Sequence, residues 1–408
     1  MTGKVRDLAH DGDGIVATEE GILFVPGALP GEVVRVRPDR SRGKNRRGRL
    51  LEILEASGDR VEAACPMVDT CGGCPQMVLS LEGQRALKTR RVEEATGLVP
   101  EWIGSPDSLG YRRRARLAWQ AKPPTLGYRR SHRRTLVDVG DCPVLVPALA
   151  KTLEHFRTVL RSSFLGGGEL RLAVGRQGGA VGWIGTEDTQ GPAVYGALGA
   201  LVESGAFEGL ALRVGDGAAP ATWGDPVEWT VSPDGDALMG TLSGFSQSND
   251  GSNRLLVERV MAYAQPAGAT VLELYSGFGN LTVPLARRAT HVRAVEADPQ
   301  ASSACGENLR RLDLADRVTV VCGDAAAQTH GSVDVLVLDP PRTGAADVIP
   351  QVGAVRPSRI VYVSCDPGTL RRDLAGLGAQ GYRPEETTAV DMFPHTAHVE
   401  SVTLLVRN

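Results

Sequence analysis

Near the end of the chain an apolar stretch, Arg359-Ile360-Val361-Tyr362-Val363-Ser364, runs into Cys365-Asp366-Pro367, which puts a thiol at a strand end just ahead of a helix start. A thiolate in that place can add to an electron-poor carbon and leave again once a base has removed a proton. A free thiol titrates at about 8.5, so Cys365 needs activation by its site or by the N-terminus of the following helix. Glu400, in Phe393-Pro394-His395-Thr396-Ala397-His398-Val399-Glu400-Ser401, is the candidate base, if the fold brings it within hydrogen-bond reach of that proton. A second strand, Asp334-Val335-Leu336-Val337-Leu338, ends in Asp339-Pro340-Pro341-Arg342. Each residue alone has a plainer reading: a small buried hydrophobe, a surface charge, a turn, or for His395 and His398 a hydrogen-bonded structural histidine. Together, in order along one sheet, they point to chemistry.

Upstream, Thr270-Val271-Leu272-Glu273-Leu274-Tyr275 leads into Ser276-Gly277-Phe278-Gly279-Asn280 and a helix. Glycines there let the backbone pass close to a ligand at the carboxyl edge of a sheet. Glu296, about 20 residues on, can bind the two hydroxyls of a ribose. These features suit a dinucleotide or S-adenosylmethionine. Thr282 replaces the third glycine of the dinucleotide fingerprint, and Asp324 after a third strand can hold an adenine amino group, so the second reading is favoured.

A third group is Cys65, Cys71 and Cys74, with Cys142 far downstream in Asp141-Cys142-Pro143. Four thiolates can hold zinc or an iron-sulfur cluster, and the spacing does not separate the two. Between the third and fourth cysteines lie Tyr111-Arg112-Arg113-Arg114-Ala115-Arg116 and Tyr128-Arg129-Arg130-Ser131-His132-Arg133-Arg134, arginines with interleaved aromatics that suit RNA.

The elements that must position these groups fall into three stretches. Residues 1–57 alternate short apolar runs with Gly and Pro, the pattern of a small β-barrel, and end in a basic run of Arg35, Arg37, Arg40, Arg42, Lys44, Arg46, Arg47 and Arg49. Residues 58–250 hold the first cysteines, a helix at 80–95 and several β-like segments whose order is hard to read. From 251 strands and helices alternate: strands at 270–274, 292–296, 318–322, 333–338 and 359–364, with helices at 279–287, 300–312 and 368–378. That is a doubly wound α/β domain with a largely parallel sheet.

Composition supports a soluble multidomain protein of 408 residues. No apolar run reaches the 18 or so residues of a membrane span and no signal-peptide pattern follows Met1, so a cytoplasmic location is expected. A reducing compartment makes the seven cysteines ligands or nucleophiles rather than a disulfide framework. The net charge of -3 is uneven: residues 1–134 carry 24 Lys and Arg against 17 Asp and Glu, and the rest 21 against 31. The first third is therefore the part suited to a polyanion.

With these residues in view, the chain resembles the RNA uracil-5-methyltransferases, and within them the 23S rRNA branch with a TRAM domain and a 4Fe-4S cluster. The resemblance rests on the four cysteines, Phe245-Ser246-Gln247-Ser248-Asn249, Asp339-Pro340-Pro341-Arg342-Thr343-Gly344, Ser364-Cys365-Asp366-Pro367-Gly368-Thr369-Leu370 with Arg372-Asp373-Leu374, and Phe393 through Glu400. The stretches Asp11-Gly12-Asp13-Gly14-Ile15 and Pro26 to Glu32 resemble the TRAM barrel, an RNA-binding fold of oligonucleotide-binding type. The resemblance implies a Rossmann-like S-adenosylmethionine-dependent domain at 251–408, preceded by the barrel at 1–57 and a central α+β iron-sulfur and RNA-binding domain at 58–250. It implies Cys365 as nucleophile toward uracil carbon 6 and Glu400 as base. Gln247, Tyr275, Gly277, Asn280, Glu296, Asp324 and Asp339 become cofactor residues, and Cys65, Cys71, Cys74 and Cys142 ligands of a structural cluster. The expected partner is RNA, 23S rRNA ahead of the tRNA T-loop, with the protein a monomer lacking an obligate protein partner. The chain departs from the family pattern at Ser246, Asp366, Ser276 and Asp324. Arg342 stands where RNA cytosine-5 methyltransferases carry a second cysteine. A reading from another class is an iron-sulfur RNA-binding redox sensor on a silent methyltransferase fold.

Overall fold

The computed structural model describes residues 1–39, 46–131, 135–216, 219–242 and 244–408. Arg40, Arg42 and Lys44 of the basic run, and His132, Arg133 and Arg134, lie outside the described residues.

Five antiparallel strands, Thr2–Leu8, Gly14–Thr18, Gly21–Val25, Val33–Pro38 and Gly48–Glu55, make the first sheet. Their alternation turns Val5, Val16, Leu23, Val25, Val34 and Val36 inward, where they are buried together. Phe24 on one edge strand meets Arg46 and Arg47 at the start of the other, which closes the sheet into a barrel and removes its edges.

A second sheet has seven strands in the order Ala221–Gly224, Gly209–Val214, Ala180–Thr186, Gly167–Val174, Arg114–Ala121, Pro124–Arg129 and Leu136–Asp138. The helices Pro147–Ser163 and Pro192–Glu203 cover one of its faces. Leu149, Leu153 and Phe156 pack there on Leu117, Trp119, Leu170 and Leu172. Both helices open with proline, whose missing N–H costs nothing in a first turn.

The third sheet carries the candidate chemistry. Its order is Val318–Cys322, His291–Glu296, Thr270–Leu274, Val335–Leu338, Arg359–Ser364, Glu400–Arg407, Tyr382–Val390 and Glu101–Ile103. The first five strands are parallel, as the sequence pattern predicts, and the central three, Thr270–Leu274, Val335–Leu338 and Arg359–Ser364, are buried on both faces. The sixth is not. Glu400–Arg407 inserts antiparallel beside Arg359–Ser364, and Tyr382–Val390 pairs antiparallel with it.

The central stretch is not one structural unit. Helix Leu81–Thr96 packs on helix Pro367–Gly378, and Glu101–Ile103 extends the third sheet parallel to Tyr382–Val390. Val92 is fully buried against Ala389 and Val399, so this segment belongs to the core beneath the candidate site. No helix among the described residues is long and apolar enough to cross a membrane.

Candidate active site

Strand order in the third sheet reverses between Thr270–Leu274 and Val335–Leu338, and in open α/β sheets ligands bind outside the carboxyl ends at that point. The loop leaving the first of these strands is sharply bent: Tyr275, Gly277 and Gly279 have φ of 66°, 58° and 102°. A left-handed tyrosine is strained by about 1–3 kcal/mol, and such strain collects where a loop is shaped for a ligand. The Glu296 carboxylate braces the loop, accepting from the backbone N–H of Gly277 at 2.9 Å and of Asp298 at 2.7 Å. Asn280 exchanges two hydrogen bonds with Asn253, at 2.9 and 3.0 Å, tying the loop to helix Asp250–Ala264. Gln247, just ahead of that helix, is buried with Oε1 unpartnered, and so are Ser276 Oγ and Glu273 Oε2. Buried polar atoms left without partners are rare in folded proteins and mark a place completed by something else. Asp324 is exposed at its strand end and accepts from the Ala327 N–H.

At the next strand ends the register decides the geometry. Ser364 pairs with Ser401 across the antiparallel ladder, so Cys365 and Glu400, one step further on each strand, share the same edge of the sheet. Glu400 is buried. Burial, with the Asp339 charge adding to it and the Arg342 guanidinium opposing, pushes its carboxyl up to about 8. Burial raises Asp339 to about 7. Cys365 is pushed up to about 12 by burial, then by the charges of Glu400 and Asp339, again against Arg342. The helix that follows, capped by Asp366 through the Thr369 N–H, does not reverse this. Without a ligand the site favours the protonated thiol, so the activation Cys365 needs does not come from the following helix N-terminus.

Both loops that carry these groups are held from elsewhere in the chain. Asp373 accepts from the Ala345 N–H at 2.7 Å and the Tyr362 hydroxyl at 2.6 Å, and Arg372 donates to the Thr343 carbonyl, which fixes the turn after Asp339. Gly344 has φ of 75° there, and a Cβ would collide with Arg372 and Asp373. The loop before Glu400 is tied to buried Lys88, which reaches Asp391 at 2.7 Å and the Phe393 carbonyl at 3.1 Å. It is tied also to Tyr111 through the Pro394 carbonyl and to Asn249 through the Met392 carbonyl. His395 is part of that scaffold, its N–H donating to Gln84 Oε1. His398 lies 3.1 Å from Arg342 and is held neutral, pushed down to about 4 by burial and then by the charges of Arg342 and His10.

The four cysteines expected as ligands, Cys65, Cys71, Cys74 and Cys142, are free thiols around one cavity of about 420 Å³. Phe245, Arg342, Phe393 and His398 line the same cavity, so it opens toward the Cys365 edge. Among the described residues no group of three or more His, Cys, Asp or Glu is gathered tightly enough to hold a single metal ion. The thiols ring a space and do not meet at a point.

The basic motif divides in a way its spacing did not reveal. Arg113, expected at an RNA surface, is buried and paired with Glu228 at 2.7 Å and with the Trp229 carbonyl. Arg114 holds the Gly244 carbonyl at 3.0 Å and pairs with Glu228 at 3.2 Å. Ser246, where the family pattern has an aromatic, donates to Glu228 at 2.5 Å. These residues anchor the Phe245–Asn249 loop. Tyr111 is buried as well, while Arg116 is exposed. In the barrel, Arg35, Arg46 and Arg47 pair with Glu52, Glu20, Asp11 and Asp13, whereas Arg37 and Arg49 stand exposed and directly opposite each other.

Sequence reasoning passed over Glu273, Asn253, Lys88 and Glu228. Glu273 did carry a signal, a carboxylate in the middle of an otherwise apolar strand, which a fold tolerates only with a purpose. It is pushed up to about 8 by burial, and then by the Asp339 and Glu296 charges.

Comparison with known proteins adds to this geometry. A family of tRNA (Uracil-5-)-methyltransferases matches residues 324–408, and a methyltransferase small domain matches residues 240–354. The chain is 37% identical over 425 residues to a 23S rRNA (uracil(1939)-C(5))-methyltransferase RlmD of Pseudomonas putida, covering 98% of this chain and 92% of that protein. It is 34% identical over 430 residues to the protein of that name from Alkalilimnicola ehrlichii, covering 99% and 96%. Among solved structures it is similar to the Pyrococcus abyssi tRNA (uracil-54, C5)-methyltransferase in complex with S-adenosyl-L-homocysteine, with a TM-score of 0.81, 24% identity and both chains covered completely. That likeness shows a shared fold.

Proposed function

From a chain that belongs to the 23S rRNA (uracil-C5)-methyltransferase family, we propose an enzyme that methylates carbon 5 of a uridine in 23S rRNA, using Cys365 as nucleophile and Glu400 as base. The observation that carries this assignment of residues is the ladder pairing of Ser364 with Ser401, which brings Cys365 and Glu400 to one edge from positions 35 apart in sequence. The tRNA reading has less support, because the relatives 34–37% identical along the whole chain carry the rRNA name, while the tRNA enzyme matched along the whole chain is 24% identical.

In this reading the Cys365 proton leaves for a carboxylate of the pocket as the substrate enters, and the thiolate adds to carbon 6 of the uracil. The carbon 5–carbon 6 double bond opens into an enolate, which makes carbon 5 a nucleophile. S-adenosylmethionine, when bound, supplies the electrophilic methyl group. Glu400 then takes the proton from carbon 5, the double bond re-forms and the Cys365 thiolate is expelled. For that step Glu400 must be ionised, and a carboxyl near 8 is a strong base for a carboxylate.

The loop residues fit the methyl donor. Tyr275, Gly277, Asn280, Glu296, Asp324 and Asp339 surround the switch point, with Gln247 and Glu273 offering unpartnered oxygens. A pocket rich in carboxylates suits a ligand that carries a sulfonium, an ammonium and ribose hydroxyls.

The cysteine set fits a 4Fe-4S cluster held by Cys65, Cys71, Cys74 and Cys142. Four sulfurs around zinc, at about 2.3 Å from the metal, would nearly touch, whereas these line an open cavity. The cluster would staple the 65–74 segment to Cys142 beside the substrate mouth, a structural duty. We assign residues 1–57 to a TRAM-like RNA-binding barrel, 58–250 to a central part and 251–408 to the methyltransferase domain, with 81–103 docked on the latter. Arg37 opposite Arg49 supports the barrel's role, since facing like charges destabilise a sheet unless a polyanion joins them.

The test is to incubate anaerobically prepared protein and its Cys365→Ala variant with labelled S-adenosylmethionine and unmodified 23S rRNA or tRNA transcripts, then identify the nucleoside by mass spectrometry. 5-Methyluridine in the rRNA, from the native protein alone, is the expected result. A protein with bound iron that methylates neither RNA would return the redox-sensor reading.

A further inference from the structure

The seven-stranded sheet has helices on one face only, and among the described residues no helix packs on the other. That outer face bounds a broad open depression of about 860 Å³. Its floor carries no side chain at Gly167 and Gly185, which stand in phase with Arg171 and Trp183 on the outer face. Antiparallel pairing sets Arg171 directly opposite both Arg116 and Trp183. The Arg171 guanidinium stacks on the Trp183 ring, 4.7 Å from its centroid. The ring lies against Gly185, where any Cβ would strike it. Glu169 bridges the two facing arginines, accepting from Arg116 and, at 2.5 Å, from Arg171. Among the side chains that the strands bring to this depression, Arg116, Arg129, Arg171 and Arg213 stand with the one carboxylate of Glu169, while Glu187 and Asp216 sit beyond the strand ends.

Such a surface needs a reason. Like charges placed opposite each other, an indole on an exposed face and a floor of glycines all weaken a sheet. They are also the parts of a single-strand RNA platform, in which bases stack on aromatic rings or guanidinium planes and arginines meet phosphates. Position adds the second argument: Arg116 and Tyr128 line both this depression and the cavity that contains Phe245, Arg342 and His398. The two adjoin at exposed Arg116. We propose that the outer face of the central sheet is an RNA-docking platform, on which the strand flanking the target uridine lies across Trp183, Arg171, Arg116 and Arg213. The proposal rests on RNA being the substrate class.

The test measures binding, so it does not depend on methyl transfer. A fluorescent 23S rRNA fragment with long flanks and a short oligonucleotide centred on the target uridine are titrated by anisotropy into the native protein, Trp183→Ala, and the Arg116→Ala/Arg213→Ala double variant. The long fragment should bind Trp183→Ala about tenfold more weakly. Its logarithmic salt slope should fall by about one in the double variant. The short oligonucleotide should be unaffected in both. Flanks substituted with 4-thiouridine, irradiated on the native protein, should crosslink to the peptides carrying Arg171 and Trp183, a readout that needs no variant. Equal affinity of native and variant proteins for the long fragment, or crosslinks only to other surfaces, overturns the platform. Tight, platform-dependent binding without methylation would instead leave it standing and count against the proposed reaction.

Discussion

At the edge of the third sheet, Cys365 faces two carboxylates, and their charge joins burial in holding its thiol up to about 12. In the neighbouring cavity Cys74 is also pushed up to about 12, by burial and then by Cys142 and Cys71, its fellow thiols, against the single cation of Arg112. The same functional group is kept protonated in both places, for different reasons. At the edge the protein supplies fixed bases that can receive a proton, so the thiol is latent and complete. In the cavity four like groups lie around one space, and each disfavours ionisation of the next. On the proposed reading the first region reacts and the second is filled by the cluster.

The largest effects break that contrast at the edge. Cys365→Ala should abolish 5-methyluridine formation. Glu400→Gln should abolish turnover by another route: addition and methylation proceed, the carbon 5 proton stays, and a covalent protein–RNA adduct persists on a denaturing gel. An adduct with Cys365→Ala, or none with Glu400→Gln, would reverse the assigned roles.

In the cavity, Cys74→Ser should remove the visible absorbance and the bound iron and lower the melting temperature, since a structural metal group adds its binding free energy to folding. The same variant should still bind S-adenosylmethionine at the third sheet. Loss of that binding at temperatures where the variant is folded would mean that the two regions are not separable.

Between them lies the Phe245–Asn249 loop, anchored by Arg113 on Glu228 and reaching both regions through Phe245 and Asn249. Arg113→Ala takes one of two guanidiniums from buried Glu228 and the donor from the Trp229 carbonyl, and should cost about 2–3 kcal/mol in denaturant unfolding. Exposed Arg116, three positions on, should change stability by about 0.5 kcal/mol or less as alanine. Equal losses would place both in the core.

The smallest effect is a pH midpoint. Glu400 serves as base only when ionised, and burial holds it protonated up to about 8, so kcat/KM should rise with pH toward that value and level off above it. Asp339→Asn removes a repelling charge and should move the midpoint down, whereas Arg342→Ala removes an attracting one and should move it up. Shifts in the opposite sense would take Glu400 out of the base role.

Much of this contrast was legible in the chain. The five parallel strands fell within a residue or two of their expected places, because each is a short apolar run bounded by turn residues, a local signal. The glycine loop, Glu296, Asp339 and Cys365 follow at strand ends, and strand ends in a doubly wound sheet face one edge. The pairing of Cys365 with Glu400 was expected by resemblance and takes its geometry from Glu400–Arg407 inserting antiparallel, which no spacing reveals.

What the sequence determined by itself, then, is the set of reactive groups and the elements that carry them, since periodicity and turn chemistry act over a few residues. The tertiary structure decided which arginines of one run are structural and which reach solvent. It also joined Lys88 to Asp391 and added 101–103 to a sheet otherwise built from residues after 270. Those outcomes depend on burial and on partners more than a hundred residues away, and a buried charge is settled by its partner, whatever its sequence neighbours.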